Sequence, residues 1–445
     1  MMSKSWKDMT PAERQAARFE RWRNPQDATF SSEEVKNNYQ ARVNRVVDAI
    51  TLAKTPDRVP TLSPAGFLPC FLYDVTVKQV MYDADKAVDL WLRFLTEYPT
   101  DLAKGPSYCG IGRALEILEY KLYKWPGHNL PDNVGFQAVE SEWMRKDEYP
   151  LLIDDMSDYW LRYYMPRIFG ALEPLAAMLP LNRIIEFPNV AQLTAFGLPG
   201  VREALNKLVD AGEELIKARD GLGRFKQVAM LEMGFPTHVG GFAKAPYDVL
   251  ADTLRASRGM ALDMFRQSDL MLKAIERITP LHIKGAVADA NVSGNPIIFI
   301  PLHKGADGWM SDKQFRQLYW PGLKAVILGL VEEGCVPLLF AEGSYTSRLP
   351  YLNELPKGTT LWLFDQTDMA EVKKVAGDNV CIAGNVPTGL MVTGTPEQVE
   401  AYCKQIIDNC APDGGFILTT GAGLDEGKAD TVRAMLEAAD KYGKY

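Results

Sequence analysis

Short apolar runs alternate with longer amphipathic segments along most of the chain. The clearest runs span residues 227–234, 296–303, 336–343, 359–365, 380–387 and 414–423. Glycine, proline or a polar residue bounds each run, and nearly continuous apolar character over so short a length is typical of parallel strands covered by helices. Segments such as PEQVEAYCKQIIDNC, which separate the runs, repeat apolar residues at helical spacing. This alternation predicts an α/β architecture.

Two regions depart from the alternation. Residues 1–55 are polar and are predicted to form an N-terminal helical extension, with Ser32 as a candidate N-cap. The segments RVPTLSPAG and PTDLAKG supply two further strands, which makes eight and predicts a (β/α)8 TIM barrel over residues 56–445. Residues 121–225 contain consecutive helical patterns and are predicted to be a helical insertion after strand 2 that covers the barrel mouth.

Polar residues follow the predicted strands where each strand ends. In α/β barrels, side chains that perform chemistry lie at these carboxyl ends. The candidates are Asp101, Glu232, His238, His303, Glu342, Asp365, Asp368 and Asn385. His303, Glu342 and Asp365 end three consecutive strands, and because neighbouring strands lie about 4.8 Å apart, these side chains are predicted to meet. One imidazole and two carboxylates form a reasonable zinc site with a position open to substrate.

Each of these three residues also has a structural interpretation. A histidine at a strand end commonly hydrogen-bonds to backbone or to a carboxylate, and His303 fits that description. Glu342 can instead pair with Arg348 or accept a nearby backbone amide. Asp365 or Asp368 can cap the helix that follows. The coincidence of three strand ends is what favours the metal hypothesis.

Composition narrows the classes of function. The 445 residues are 47% hydrophobic and carry a formal net charge of −8, which argues against nonspecific nucleic-acid binding. The longest apolar runs are too short to span a bilayer, and the N-terminus has no apolar stretch typical of a signal peptide. The six cysteines include no C-x-x-C pair and no evident disulfide framework. A reduced, cytoplasmic protein is predicted.

Several segments resemble one known superfamily. The C-terminal half contains GNVPTGLMVTGTPEQV, then GGFILTTGAG and a final helix, and APYDVLADTLRASRG follows the third predicted strand. Together with DRVP near the first strand, these segments resemble the uroporphyrinogen decarboxylase superfamily over roughly residues 45–443. The resemblance implies a distorted (β/α)8 barrel with a funnel-shaped site at the carboxyl ends of the strands. It also implies one of two chemistries, which are metal-free decarboxylation of uroporphyrinogen and zinc-dependent methyl transfer involving a corrinoid protein or a thiol.

Departures from the patterns of both groups favour methyl transfer with hard metal ligands. The decarboxylases carry an arginine-rich stretch after the first strand, whereas here no arginine follows Arg58 until Arg93, so the many substrate carboxylates would lack bidentate partners. Thiol-methylating members carry His-x-Cys after strand 5 and a cysteine after strand 8. The matching positions read FAE (340–342) and Ala422, so the resemblance implies that Glu342 replaces a cysteine ligand.

Oxygen and nitrogen ligands leave zinc a stronger Lewis acid than thiolates do. The chain is therefore most similar to the corrinoid-dependent enzymes that demethylate aromatic methyl ethers. This similarity implies transfer of a methyl group from an O-methyl donor to Co(I) of a separate corrinoid protein. An N-methyl or S-methyl donor, a metal-free decarboxylase and a non-catalytic binding role stay open as alternatives.

The sequence thus yields a definite set of expectations. The predicted catalytic residues and metal ligands are His303, Glu342 and Asp365. The predicted substrate contacts are Asn385, His238, Tyr345, Trp309 and Phe67, and the other aromatic residues expected near the strand ends are Phe71, Phe235 and Trp362. The expected cofactors are zinc and a corrinoid (cobalamin) carried by a partner protein. The expected ligand is a small-molecule methyl donor, and a homodimer is left open.

Overall fold

The computed structural model describes residues 4–26 and 28–445. In the first half of the chain the helices are α1 (Pro11–Arg23), α2 (Glu33–Thr51), α3 (Leu68–Leu72), α4 (Val77–Tyr82), α5 (Ala84–Glu97), α6 (Gly112–Ile117), α7 (Tyr149–Asp154), α8 (Met156–Tyr159), α9 (Met165–Ile168) and α10 (Pro199–Gln227). In the second half they are α11 (Pro246–Asp248), α12 (Ala256–Arg266), α13 (Ser268–Ser293), α14 (Asp312–Gln314), α15 (Trp320–Glu332), α16 (Met369–Ala376), α17 (Thr388–Thr393), α18 (Pro396–Cys410) and α19 (Ala429–Tyr442).

Nine strands form two sheets among the described residues. The small sheet contains β1 (Tyr123–Pro126), β2 (Asn129–Leu130) and β3 (Gln137–Ala138). The large sheet contains six parallel strands in chain order, which are β4 (Gly241–Phe242), β5 (Ile297–Leu302), β6 (Val336–Ala341), β7 (Leu361–Phe364), β8 (Cys381–Val386) and β9 (Phe416–Thr420). Helices separate these six strands along the chain, so the predicted α/β architecture is confirmed.

The register of the large sheet sets the level at which its polar residues emerge. Leu302 at the end of β5 pairs with Ala341 at the end of β6, and Ala341 pairs with Phe364 at the end of β7. The residues that follow these three are His303, Glu342 and Asp365. All three therefore leave the sheet at one level, as the sequence predicted.

Single parallel bridges continue the pairing beyond the two edges of the large sheet. Thr61 pairs with Leu418 of β9, Leu62 pairs with Leu102, and Ala103 pairs with Thr237. Thr237 lies four residues before β4, which forms the other edge of the sheet. The two predicted early strands thus lie between β9 and the segment that enters β4, joined by isolated bridges.

The predicted third strand at 227–234 is wrong. Its residues complete α10 and a π-helical turn at Val228–Glu232, and Glu232 is exposed on that turn, away from the strand ends. A short apolar run fits a buried helical turn as well as a strand, and here Ala229 is fully buried. Gly234 ends the helical segment at a φ of +74°, where a Cβ atom would lie 2.6 Å from the Val35 carbonyl oxygen.

The N-terminal helices cover the side of the sheet opposite to the candidate site. Ser32 accepts a hydrogen bond from the Val35 amide, so the predicted N-cap of α2 is confirmed. The buried face of α2 packs with the residues that begin the large strands, including Ile297 and Val336. In α1, the Arg18 side chain donates to the Glu333 carbonyl oxygen at 2.6 Å, at the C-terminal end of α15. A cation at that position also interacts favourably with the helix dipole.

The region 121–225 contains the small sheet, α7 to α9, two 3-10 segments at Gly170–Ala177 and Phe187–Gly197, and most of α10. Short strands thus accompany the helices expected there. Among the described residues, no helix combines the length and apolar character needed to cross a bilayer. All six cysteines are buried free thiols, and Cys381 lies in the core as predicted. Burial raises the pKa of the Cys335 thiol to about 11 and that of Cys70 to about 12.

Candidate active site at the carboxyl ends of the strands

The His303 imidazole is held by a carboxylate that the sequence analysis did not identify. Its Nδ1 lies 2.6 Å from Oδ2 of Asp252, in the π-helical turn Val249–Arg255. The same Asp252 oxygen lies 2.8 Å from Nζ of Lys244. Burial opposes the charged form of Asp252, but the hydrogen bond from His303 and the charge of Lys244 outweigh it, and the Asp252 pKa is lowered. Asp252 therefore fixes a proton on Nδ1 and turns Nε2 toward the open side of the site.

Burial lowers the pKa of His303, but the hydrogen bond and charge of Asp252 more than compensate, so the pKa is raised overall. The backbone beside it is fixed by a second aspartate. Asp248 is fully buried and accepts the amides of His303 at 2.9 Å and Lys304 at 3.1 Å, as well as the Tyr319 hydroxyl at 2.8 Å. Burial and then the charge of Asp252 raise the Asp248 pKa to about 6. The strand end is thereby tied to α11.

Glu342 lies beside His303, with its Oε2 atom 3.6 Å from Nε2 of the imidazole. Two ligands of one tetrahedral zinc ion lie about 3.3 Å apart, since Zn–N and Zn–O bonds are about 2.0–2.2 Å long. The alternative partner considered for Glu342 is engaged elsewhere, because Arg348 bonds to Asp312 at 3.1 Å and to the Met310 carbonyl oxygen at 2.6 Å. The Glu342 side chain is 54% exposed. It therefore extends into the open mouth of the site.

Asp365 follows β7 and interacts with the backbone beside Glu342. Its Oδ2 atom accepts the Gly343 amide at 3.0 Å. Asp368, not Asp365, caps α16 by accepting the amides of Ala370 and Glu371, which settles one alternative left open by the sequence. In the described part of the chain, no three side chains from histidine, cysteine, aspartate and glutamate gather as one metal-binding group. The structure thus brings His303 and Glu342 together. The third predicted ligand, Asp365, binds the backbone amide of Gly343, the residue that follows Glu342.

Three of the predicted substrate contacts have structural partners. The side-chain amide of Asn385 donates hydrogen bonds to the carbonyl oxygens of Asp365 at 3.1 Å and Thr367 at 2.8 Å. These bonds hold the loop that carries Asp365. Tyr345 is buried and donates its hydroxyl to the Leu302 carbonyl oxygen at 3.0 Å. Trp309 is half-buried, and its ring lies 4.7 Å from the ammonium group of Lys304. A substrate contact by these residues stays a prediction.

A cavity of about 880 Å³ opens beside the large sheet. Its walls include Phe299 and Phe340 of the sheet, and two predicted substrate contacts, Phe67 and His238. Of the other predicted aromatic residues, Phe235 and Trp362 are buried and Phe71 is exposed. His303, Glu342 and Asp365 are not among the described residues that line the cavity. Phe299 and Phe340 nevertheless lie on β5 and β6, the strands that end directly before His303 and Glu342. The cavity and the His303–Glu342 pair therefore share two strands.

Four aromatic side chains form a cluster at the wall of the cavity. The Phe136 ring lies edge-on to Tyr108 at 4.7 Å, to Tyr123 at 5.6 Å and to Phe67 at 6.3 Å between centroids. Phe67, Tyr108 and Phe136 line the cavity. Burial and then the negative charge of Asp252 raise the Tyr123 pKa. The aromatic cluster of Phe67, Tyr108, Tyr123 and Phe136 thus forms part of the cavity wall, and two of its rings come from the region 121–225.

The cavity also holds a small charged group. Lys104, His238 and Asp425 all line it. Burial, opposed by the charge of Asp425, lowers the Lys104 pKa to about 8. Burial and then the charge of Lys104 lower the His238 pKa to about 3, so this imidazole is neutral at physiological pH. Asp425 accepts the Phe67 amide at 2.8 Å.

Sequence reasoning missed Asp248 and Asp252, which organise the site more than any predicted residue. The available signal was the stretch KAPYDVLAD, in which the two carboxylates are four residues apart and therefore share one helical face. Sequence reasoning also left open a role for Asp101 as a catalytic aspartate. Asp101 is fully buried, accepts the Thr61 amide at 2.8 Å and pairs with Arg58 at 2.9 Å. These contacts give it a structural role.

In the predicted zinc site, changing Asp252 to asparagine is expected to lower zinc affinity and turnover by about 10- to 100-fold, because partners of a ligating histidine typically have effects of that size. The amide keeps the shape but removes the charge that holds the imidazole. Zinc titration with a competing chelator measures the effect. Asp368→Asn is the control, since asparagine caps a helix as well as aspartate does and should leave affinity unchanged. Equal zinc affinity in Asp252→Asn and the unmodified protein would contradict the assignment.

Comparison with known proteins places this geometry in a class. The fold is shared with a methyltransferase from Methanosarcina mazei, with a TM-score of 0.59 at 16% sequence identity, over 90% of this chain and 98% of that chain. The family model described as uroporphyrinogen decarboxylase (URO-D) matches residues 205–442, which is more than half of the chain. The chain therefore belongs to the uroporphyrinogen decarboxylase family, as its sequence motifs predicted. No curated protein sequence matches it.

Proposed function

We propose that this protein is a methyltransferase that moves a methyl group from an aromatic methyl ether to the Co(I) of a corrinoid protein. The observation that carries the proposal is the carboxylate–histidine–carboxylate arrangement, in which Asp252 holds Nδ1 of His303 and Glu342 lies 3.6 Å from Nε2. A carboxylate on one ring nitrogen is the usual environment of a histidine that binds metal through the other. The structural likeness to a methyltransferase supports the same class of reaction.

The donor set fits a zinc ion held by Nε2 of His303 and Oε2 of Glu342. Catalytic zinc sites usually have three protein ligands. Asp365 is the proposed third, since the Gly343 amide engages only its Oδ2 atom among the described residues. When bound, zinc supplies Lewis-acid stabilisation of the negative charge that develops on the ether oxygen as the methyl group departs.

The chain's own residues prepare this chemistry. Asp252 and Lys244 keep the imidazole oriented, and Lys244 offsets the carboxylate charge at a distance of 2.8 Å. Asp248 fixes the backbone at His303 and Lys304, so the histidine side chain starts from a rigid position. Asn385 fixes the loop that carries Asp365. These contacts reduce the freedom that binding would otherwise have to remove.

An aromatic donor is supported by the aromatic cluster and the apolar cavity walls. Edge-to-face contacts with a substrate ring would bury it and exclude water from the ether oxygen. The region 121–225 contributes Tyr123 and Phe136, and we propose that it forms the cover over the site. An N-methyl or S-methyl donor would make less use of these rings.

We also propose that the large sheet forms most of a closed (β/α)8 barrel. The support is the series of parallel bridges from β9 through Thr61 and Leu62, then Leu102 and Ala103, to Thr237. Eight extended segments would then surround the cavity, and the candidate site would lie at their carboxyl ends, where barrel enzymes carry their chemistry.

The rival decarboxylase function finds little support in the cavity. A polycarboxylate substrate requires several cationic partners, and Lys104 is the one lysine or arginine among the described residues lining the cavity. Asp101, the other candidate for that chemistry, is enclosed by its own partners. We therefore propose no second function.

The proposal is tested with purified protein, added zinc, 4-methoxybenzoate and chemically reduced cob(I)alamin as methyl acceptor. Methylcobalamin is expected to form, as seen by its absorption spectrum, together with an equal amount of 4-hydroxybenzoate. A chelator should abolish both products, and zinc should restore them. Release of CO2 from 4-methoxybenzoate or from uroporphyrinogen without methylcobalamin would overturn the proposal in favour of a decarboxylase.

A further inference from the structure

The cavity contains a cationic group that the His303–Glu342 pair does not use, the ammonium group of Lys104. Lys104 lines the cavity, and within the described chain its charge is influenced by Asp425 and not by any hydrogen bond. No carboxylate lies within salt-bridge distance of its Nζ atom among the ion pairs of the described residues. Lys104 is half-buried, and a cation withdrawn from water with no hydrogen-bond partner is costly unless a ligand meets it.

The surroundings of Lys104 favour an approach to its charge from the cavity. A Cβ atom on Gly423 would lie 3.0 Å from Nζ and 3.6 Å from the Gly66 Cα atom, so the ammonium group lies against backbone that carries no side chain. His238 lines the same cavity, and as a neutral imidazole it offers no counter-charge. Asp425 is oriented by the Phe67 amide. An open polar position therefore remains beside the ammonium group.

We infer that Lys104 binds the anionic group of the substrate, and that this group is a single carboxylate carried on an aromatic ring. The inference rests on the proposed function for the methyl-bearing end of that molecule. The carboxylate would pair with the Lys104 ammonium group, while the ring would contact Phe67 and Phe136, which line the same cavity. One cation matches one carboxylate, and the nearby Asp425 disfavours a more highly charged ligand.

Binding of two probes tests the inference without requiring turnover. Isothermal titration calorimetry at pH 7 compares 4-methoxybenzoate with neutral 4-methoxybenzyl alcohol on the purified protein. We expect the benzoate to bind at least about 10-fold more tightly. Lys104→Met should weaken benzoate binding about 10- to 100-fold, as expected for a charge-assisted hydrogen bond, and change alcohol binding less than about threefold. Lys104→Arg should retain most of the preference, which separates loss of charge from misfolding.

Asp425→Asn and pH provide matched controls. Removing the Asp425 charge should lower the Lys104 pKa, so the fall in benzoate affinity should begin at a lower pH than in the unmodified protein. Above pH 8, where Lys104 loses its proton, benzoate affinity should fall by about tenfold per pH unit, while alcohol affinity stays constant. The carboxylates Asp289 and Asp425 also face the cavity. His238 is already neutral and burial raises the Tyr108 pKa, so Lys104 is the group expected to change charge in this range.

Equal affinity of the two probes, failure of both to bind, or equal weakening of both by Lys104→Met would overturn the inference. The outcome is independent of methyl transfer. A benzoate preference that depends on Lys104 in a protein that forms no methylcobalamin would sustain the anion site and overturn the proposed reaction. Methyl transfer without a benzoate preference would support the proposed reaction and overturn the anion site.

Discussion

Changing Glu342 to alanine is expected to lower bound zinc from about one ion per chain to less than a tenth, and to slow methyl transfer at least about 100-fold. The reason is that Glu342 supplies a proposed ligand at 3.6 Å from Nε2 of His303, and its removal leaves a single well-placed donor. Elemental mass spectrometry measures the metal, and methylcobalamin formation measures the activity. The unfolding free energy should change by less than about 0.5 kcal/mol, because the side chain is 54% exposed.

Two further variants sharpen this experiment. Glu342→His replaces one zinc ligand with another and should retain much of the metal. Glu371→Ala, on the exposed face of α16, removes a carboxylate whose one ion-pair partner among the described residues is Lys374, and it should change neither metal nor activity. Full zinc and full activity in Glu342→Ala would show that the ligand assignment is wrong, whatever the reaction of the protein.

Changing Asp101 to alanine is expected to reduce the unfolding free energy by about 3–5 kcal/mol, the largest stability effect anticipated for one substitution. Asp101 is fully buried between Arg45 and Arg58, and its loss would leave two guanidinium groups facing each other without their shared counter-ion. Urea denaturation followed by circular dichroism measures the change. The effect should be on stability, with the residual folded protein binding as much added zinc as the unmodified protein does.

Asp57→Ala is the matched control for this second prediction. Asp57 also pairs with Arg45, at 2.6 Å, but its side chain is 67% exposed, so its removal should cost less than about 1 kcal/mol. A stable Asp101→Ala protein that has lost activity would contradict the structural role and would return Asp101 to consideration as a catalytic group.

The level of the strand ends could be predicted from the sequence, and this explains why His303 and Glu342 lie side by side as predicted. Their strands are six-residue apolar runs, and parallel pairing in register brings the residues that follow them to one edge of the sheet. The distance along each strand is thus set by the pattern of apolar residues. The direction in which each side chain then points is not set by that pattern. The Asp365 side chain points to the Gly343 amide.

Other features depended on information that a local pattern does not contain. The run at 227–234 is apolar because one face of a helical turn packs against the core through Ala229, Met230 and Met233, and such packing does not distinguish helix from strand. The early strands pair through isolated bridges, in segments that contain Pro60 and Pro64, which have no amide hydrogen to donate. Asp252 reaches His303 across 51 residues of chain, so only the tertiary fold reveals the contact.

The buried cysteines bear on the fate of a transferred methyl group. Methylated cobalt is an electrophile toward thiolates, and a surface thiolate near the docked corrinoid would be alkylated in a side reaction that inactivates the protein. All six thiols here are enclosed, and burial raises the pKa of each well above its usual range. In the proposed reaction, the described cysteines would therefore offer no exposed thiolate as a competing methyl acceptor.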